Sequence, residues 1–163
     1  MTVLPIRTLP DPVLRQKAKK VSTVDRSIKK LIKDMRETLH ADVGRAGLAA
    51  PQVGVSLRVV VIGLPDTEDI ILVNPEIVRG KGEQVVSEGC LSVPGYMGQL
   101  RRAEAVTVKG LDGNGKPLRI RAEGFLAQAL QHEIDHLNGM LYVDRMDNPE
   151  ELRRITETDE TAI

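Results

Sequence analysis

The sequence has one cysteine, Cys90, no tryptophan, two tyrosines and one phenylalanine among 163 residues. A single cysteine rules out an intramolecular disulfide and suits a reducing compartment, which leaves that thiol free for other chemistry. So few aromatic rings give no platform for stacking bases. Twenty-three basic and 23 acidic residues leave no net field to draw the chain to nucleic acid or an anionic membrane. No run is apolar enough to span a bilayer, and the opening Met1–Arg7 is neither a signal peptide nor an arginine-rich presequence. The expectation is a cytoplasmic protein with no membrane or direct nucleic-acid partner. A hydrophobic content of 41% over this length suits one globular domain, 1–163, of which the acidic stretch from about 156 to 163 is expected to be a mobile tail.

What is present alternates between helical and extended patterns. Asp11-Pro12 caps a short helix over roughly 12–18. Ile28, Leu31, Ile32, Met35 and Leu39 form one stripe of a second helix, about 26–42, with His40 near its end in a favourable place for the helix dipole. Leu57–Leu64 and Ile70–Val73 read as strands, and Glu76–Arg79 resumes the second after a bend or bulge at Asn74-Pro75. A strand over Glu83–Val86 leads to Ser87–Ser92, Val93–Gly98 reads as a turn-rich loop, and Ala103–Leu111 with Leu118–Arg121 as a hairpin. Phe125–Leu137 returns to helical spacing with apolar residues over much of its circumference, so it should be central and buried. Asn138-Gly139 stops it, and Asn148-Pro149 starts a last helix near 149–155. The pattern predicts an α+β fold with β-sheets wrapped around the C-terminal helix.

That helix carries Gln131-His132-Glu133-Ile134-Asp135-His136, an H-E-x-x-H pattern. Histidines four apart lie about 40° apart around a helix and one turn along it, so both can reach one metal ion. Glu133, beside the first of them, can address a water there as a general base. A third ligand is needed. In the large zinc-peptidase classes it is a downstream Glu or His, but no histidine follows His136 and the late acids lie in polar sequence. Cys90, next to Gly89 and flanked by polar residues, is the better candidate, and a thiolate with two imidazoles leaves one tetrahedral position open. Asp135 points roughly 100° away from His136 and is not expected to ligate. For Asp135, Glu88 and Arg102 the expectation is solvated charge, the alternatives being a supporting or surface contact from Asp135 and a Glu88–Arg102 pair that orients the Cys90 loop. Gly44–Gln52 is rich in small residues, either for close approach of backbone to a ligand or another chain segment or as a tight core loop; Gln52 offers an amide useful at a reacting carbonyl. Phe125 and Ala129 lie on the face of His132, as pocket lining or as ordinary core.

Three separated segments together resemble the peptide deformylase family: Gly47-Leu-Ala-Ala-Pro-Gln52, Glu88-Gly-Cys-Leu-Ser92 and Gln131-His-Glu-Ile-Asp-His136. Their order and spacing match, and the resemblance runs from Ile6 to about residue 146. It implies metal ligands Cys90, His132 and His136, an acid/base at Glu133, and oxyanion donors from the Gln52 side chain and Leu91 N–H. It also implies hydrolysis of the formyl group of N-terminal formyl-methionine, with formate released. The partners implied are formyl-methionyl nascent polypeptides, and hence association with the ribosome; the protein itself is expected to be a monomer. Phe125 and Ala129 then line the methionine pocket, and backbone at Gly47 and Gly89 pairs with the peptide as an added strand. Ligand types alone suggest zinc, whereas the resemblance implies Fe2+, with Zn2+, Ni2+ or Co2+ able to replace it. Three positions depart from the family: Arg45 for a glycine, Met97 for a frequent arginine, and polar Gln128 where an apolar wall is expected.

Overall fold

The apolar residues of the C-terminal helix fall on a stripe, Ala127, Leu130, Ile134 and Leu137, spaced three and four apart, and all are buried. In the computed structural model, which describes residues 2–156 and 163, this helix is α2, Gly124–Leu137. Its stripe packs on a five-stranded antiparallel sheet with strand order β1-β2-β3-β6-β7, formed by β1 (Gly47–Ala49), β2 (Val59–Ile62), β3 (Ile70–Lys81), β6 (Ala105–Leu111) and β7 (Pro117–Glu123). A three-stranded sheet of β4 (Gln84–Cys90), β5 (Val93–Arg102) and β8 (Arg153–Arg154) meets the polar side of α2. Contacts there run from Gln128 to Ser87, His132 to Glu88 and Asp135 to Arg102. The helix is thus enclosed from two sides, as the expected α+β architecture requires.

The other helix, α1 (Arg26–Leu39), closes the opposite face of the first sheet. Asp25 caps it by accepting the Ile28 N–H, and Ile28, Ile32, Met35 and Leu39 join Leu48, Val59, Val61 and Val73 in a second apolar cluster. The sheet is therefore buried on both faces at its centre, which is why β2 reads as four consecutive buried residues without alternation. His40 forms the C-cap of α1 and its Nε2 pairs with Asp69.

Several boundaries differ from expectation. The first helix is a single 3-10 turn, Pro12–Arg15, and the stretch near 149–155 is another short turn, Pro149–Glu151, followed by β8. Residues 93–98 are extended, because β5 pairs with β4 along its length and with β8 on its other edge. Turn-forming glycines misread this stretch: Gly95 has φ 87°, but Gly98 lies inside the strand, where a Cβ would meet Met146 at 2.5 Å. The bulge at Asn74-Pro75 is present; Asn74 has φ 52° and exchanges two hydrogen bonds with Val21 backbone. Within the stretch expected to be a mobile tail, 157–162 lie outside the described residues, Thr156 is exposed and Ile163 is buried.

Candidate metal centre

Cys90 is the last residue of β4. The ladder with β5 shifts register between Gly89 and Cys90, so Cys90 opposes Val93, and the strand end turns the sulfur towards α2. Its Sγ accepts the Ser92 N–H at 3.4 Å and faces the Gln52 Nε2 at 3.6 Å, donors that suit a thiolate. His136 Nε2 lies 3.3 Å from Sγ. The donor atoms of Cys90, His132 and His136 all lie within 4.8 Å of one another, and the three residues are buried. Small side-chain adjustments bring atoms so spaced onto one ion with bonds of about 2.0–2.3 Å.

Two observations show that this group fits a cation. His132 Nε2 is buried without a hydrogen-bond partner among the described residues, although its Nδ1 meets Glu88 Oε1 at 2.7 Å. That second contact fixes the ring so that Nε2 faces the other ligands, the usual arrangement for a metal-binding imidazole. Burial works against charge on His132, yet the carboxylates of Glu133 and Glu88 and the Cys90 sulfur outweigh it and raise its pKa. The surroundings thus favour positive charge at Nε2. His136 is pushed the other way, by burial and by His132, towards the neutral imidazole that ligates.

Glu133 is fully buried, and neither carboxylate oxygen has a hydrogen-bond partner among the described residues. Burial pushes its carboxyl up to about 7. Gly47 in β1 abuts it: a Cβ at that position would stand 2.6 Å from Glu133 Oε2, so any side chain there would displace the carboxylate or β1. The following 3-10 turn, Ala50–Val53, buries Gln52 completely. Its Oε1 accepts the Ala49 N–H at 2.9 Å while Nε2 reaches Ser92 Oγ at 3.2 Å, which orients the amide with its N–H groups towards Cys90. Small residues between 44 and 52 therefore serve both packing and close approach. Leu91, half-buried, directly follows Cys90.

Behind the ligands lies an ion network, and here the expectation of solvated charge fails. Glu88, Arg102 and Asp135 are 1%, 4% and 6% exposed. Arg102 on β5 grips Glu88 with two hydrogen bonds, 2.7 and 2.8 Å, and donates to Asp135 at 2.6 Å. Burial would raise the Glu88 carboxyl, but the Arg102 and His132 contacts hold it at about 2. Arg145 adds two bonds to Asp135, and Tyr142 stacks on His132 with ring centroids 6.3 Å apart. Neither Tyr142 nor Arg145 was evident from sequence; both follow the Asn138-Gly139 stop in a stretch with no periodicity.

Of the pocket candidates, Ala129 is fully buried, whereas Phe125 is 42% exposed. Phe125 borders a cavity of about 340 Å³ with Gly44, Arg45, Ala46, Gly63 and Leu64, so it stands at a rim. Arg45 turns away, donating to Thr38 O and pairing with Asp42. Gln128 likewise points its amide to Ser87 O. Met97 is buried behind Gly89, and Arg153 on β8 brings a guanidinium nitrogen to 3.9 Å from its sulfur.

A buried cysteine and two histidines around one point, with an unpartnered carboxylate beside them on the same helix, define a metal-dependent hydrolase. The comparisons narrow that class. The family model described as polypeptide deformylase matches residues 3–152. A peptide deformylase of Dehalococcoides mccartyi (strain CBDB1) is 55% identical over 161 residues, 98% of this chain and 96% of that protein. Crystal structures of peptide deformylases from Legionella pneumophila (53% identity, TM-score 0.87, 92% of this chain and 89% of that one) and Synechococcus elongatus share the fold. The latter, in complex with actinonin, is 45% identical with TM-score 0.86 and covers 91% of this chain and 81% of its own. The chain belongs to the polypeptide deformylase family.

Proposed function

We propose that the chain is one catalytic domain, 1–163, that removes the formyl group from N-terminal formyl-methionine of nascent polypeptides. The observation that carries the reading is Glu133, a fully buried carboxylate with no hydrogen-bond partner among the described residues, beside three candidate metal donors. Cys90, His132 and His136 would hold a divalent ion, which when bound would supply acidification of a water and polarisation of a carbonyl oxygen. Glu133, with its carboxyl near 7, takes the proton from the attacking water and passes it to the departing amine nitrogen. The oxyanion formed at the formyl carbon accepts from Gln52 Nε2 and Leu91 N–H, donors of a kind worth about 3–4 kcal/mol each in other hydrolases. Glu88, held by Arg102, keeps the His132 ring in place throughout.

Gly47 and Gly89 backbone pair with the extended peptide, Ala129 forms the floor for the methionine side chain, and Phe125 its rim. The family implies Fe2+ as the resident ion, with Zn2+, Ni2+ or Co2+ as substitutes. Association with the ribosome follows from nascent chains as substrate, and the protein works as a cytoplasmic monomer without direct nucleic-acid contact. No helix among the described residues is long and apolar enough to cross a membrane. The test is formate release from formyl-Met-Ala alongside an internally cleavable peptide, using protein purified anaerobically and analysed for metal. Formate without chain cleavage is expected; chain cleavage without formate makes it an endopeptidase and sinks the reading.

A further inference from the structure

Ile163 occupies a position that the proposed reaction leaves unexplained. It is only 2% exposed, and its N–H donates to Gly89 O at 3.4 Å, one residue before the ligand Cys90. Its side chain, however, does not join the cluster of Cys90, Leu100, Tyr142 and Met146 on that sheet. It belongs to the cluster on the far side, between α2 and the first sheet, which contains Ala46, Ala129 and Leu130. Residue 163 therefore bridges from the end of β4, beside Cys90, to the apolar cluster that holds Ala129 and Leu130 of α2.

Backbone pairing to Gly89 with an aliphatic side chain turned into apolar wall is how an extended peptide would seat there. Gly89 suits such a neighbour. On its other side it already lies against β5, where a Cβ would stand 3.2 Å from Tyr96 O. We propose that Ile163 is a built-in ligand of the substrate groove, holding the place of the first side chain of a substrate or product and competing with it. The proposal rests on the reading of Gly89 and Ala129 as substrate contacts. A tethered competitor meets its site at an effective concentration of the order of millimolar, so even a weak peptide interaction raises the apparent KM.

The test uses the full chain, metal-loaded, with formyl-Met-Ala as substrate and Met-Ala as an independent binding probe. Ile163→Asp places a charge where only apolar wall is available and should empty the groove. The expected result is a KM lowered by about threefold or more, kcat and metal content unchanged, and Met-Ala bound more tightly by the same factor. Ile163→Leu should restore the original KM. An unchanged KM and unchanged Met-Ala affinity in Ile163→Asp overturn the proposal. So does a raised KM with a lowered Tm, which makes Ile163 an ordinary core residue. If neither protein releases formate, the functional reading fails on its own, and Met-Ala binding still decides whether Ile163 competes for the groove.

Discussion

At the scale of single residues the proposed site depends on groups with different physical tasks. In the proposed reaction Glu133 is needed for its proton and not for holding the ion. Glu133→Ala should keep its metal, measured by elemental analysis, while formate release falls by about two to four orders of magnitude, the range for a lost general base. Gly47 is needed for what it lacks. In Gly47→Ala the new methyl meets Glu133 Oε2 at 2.6 Å, so the carboxylate or β1 must move. A misplacement near 1 Å at a reacting group costs about a hundredfold in rate. Gly47→Ala should therefore lose activity on that scale with metal content intact; full activity would show that the glycine serves the backbone alone. The two positions sit on elements far apart in sequence, and only their contact explains why the small-residue loop contains a glycine at that point.

At the scale of elements, β4, β5 and α2 are tied by charges with almost no access to water. Removing Arg102 leaves Glu88 and Asp135 buried without their shared partner, and breaking such a group costs about 3–5 kcal/mol. Arg102→Leu should lower Tm by about 10 °C, at roughly 2–4 °C per kcal/mol for a chain this long, as read by a thermal melt. The tie between α1 and the loop before β3 is weaker and depends on pH. Burial pushes Asp69 up, but His40 and Arg36 hold its carboxyl below the ordinary aspartate range. A depressed carboxylate stabilises the fold above its unfolded pKa, and that contribution is lost as pH falls through the folded one. Asp69→Asn should thus reduce Tm at pH 7, by less than about 1 kcal/mol equivalent, and the difference should narrow below about pH 4. A gap that stays constant down to pH 2 would remove Asp69 from the account.

These elements were unequally legible in the sequence. Both helices follow from spacing, since Ile28 to Leu39 and Ala127 to Leu137 keep a helical period that strands cannot imitate. Strand β5 was hidden because Gly95 and Gly98 are turn residues by type. One of them serves a close approach to Met146 that only tertiary packing creates. The cluster of Cys90, His132 and His136 was readable because two histidines at helical spacing carry their own geometry, and Cys90 was the only thiol. Of the network behind it only the Glu88–Arg102 pair was readable, as an alternative to solvated charge. Nothing local distinguishes a solvated Glu88 or Asp135 from a buried one, and the difference lies in Arg102 and Arg145 arriving from other elements.

For the whole molecule, an ion held by Cys90, His132 and His136 would tie the second sheet to α2, which in turn rests on the first sheet. An ion that binds the folded form and not the unfolded one stabilises it by mass action, about 4 kcal/mol at a thousandfold excess over Kd. The metal-loaded protein should therefore melt roughly 8–16 °C above the chelated one. This increment separates the roles of the residues without reference to activity. Cys90→Ala removes a ligand and should abolish the difference between loaded and chelated melts. Glu133→Ala removes no ligand and, by relieving a buried unpartnered carboxylate, should keep the difference and raise the baseline. If Cys90→Ala retained the full metal-dependent increment, the thiolate would not be a ligand, and a different third donor would have to complete the pair of histidines.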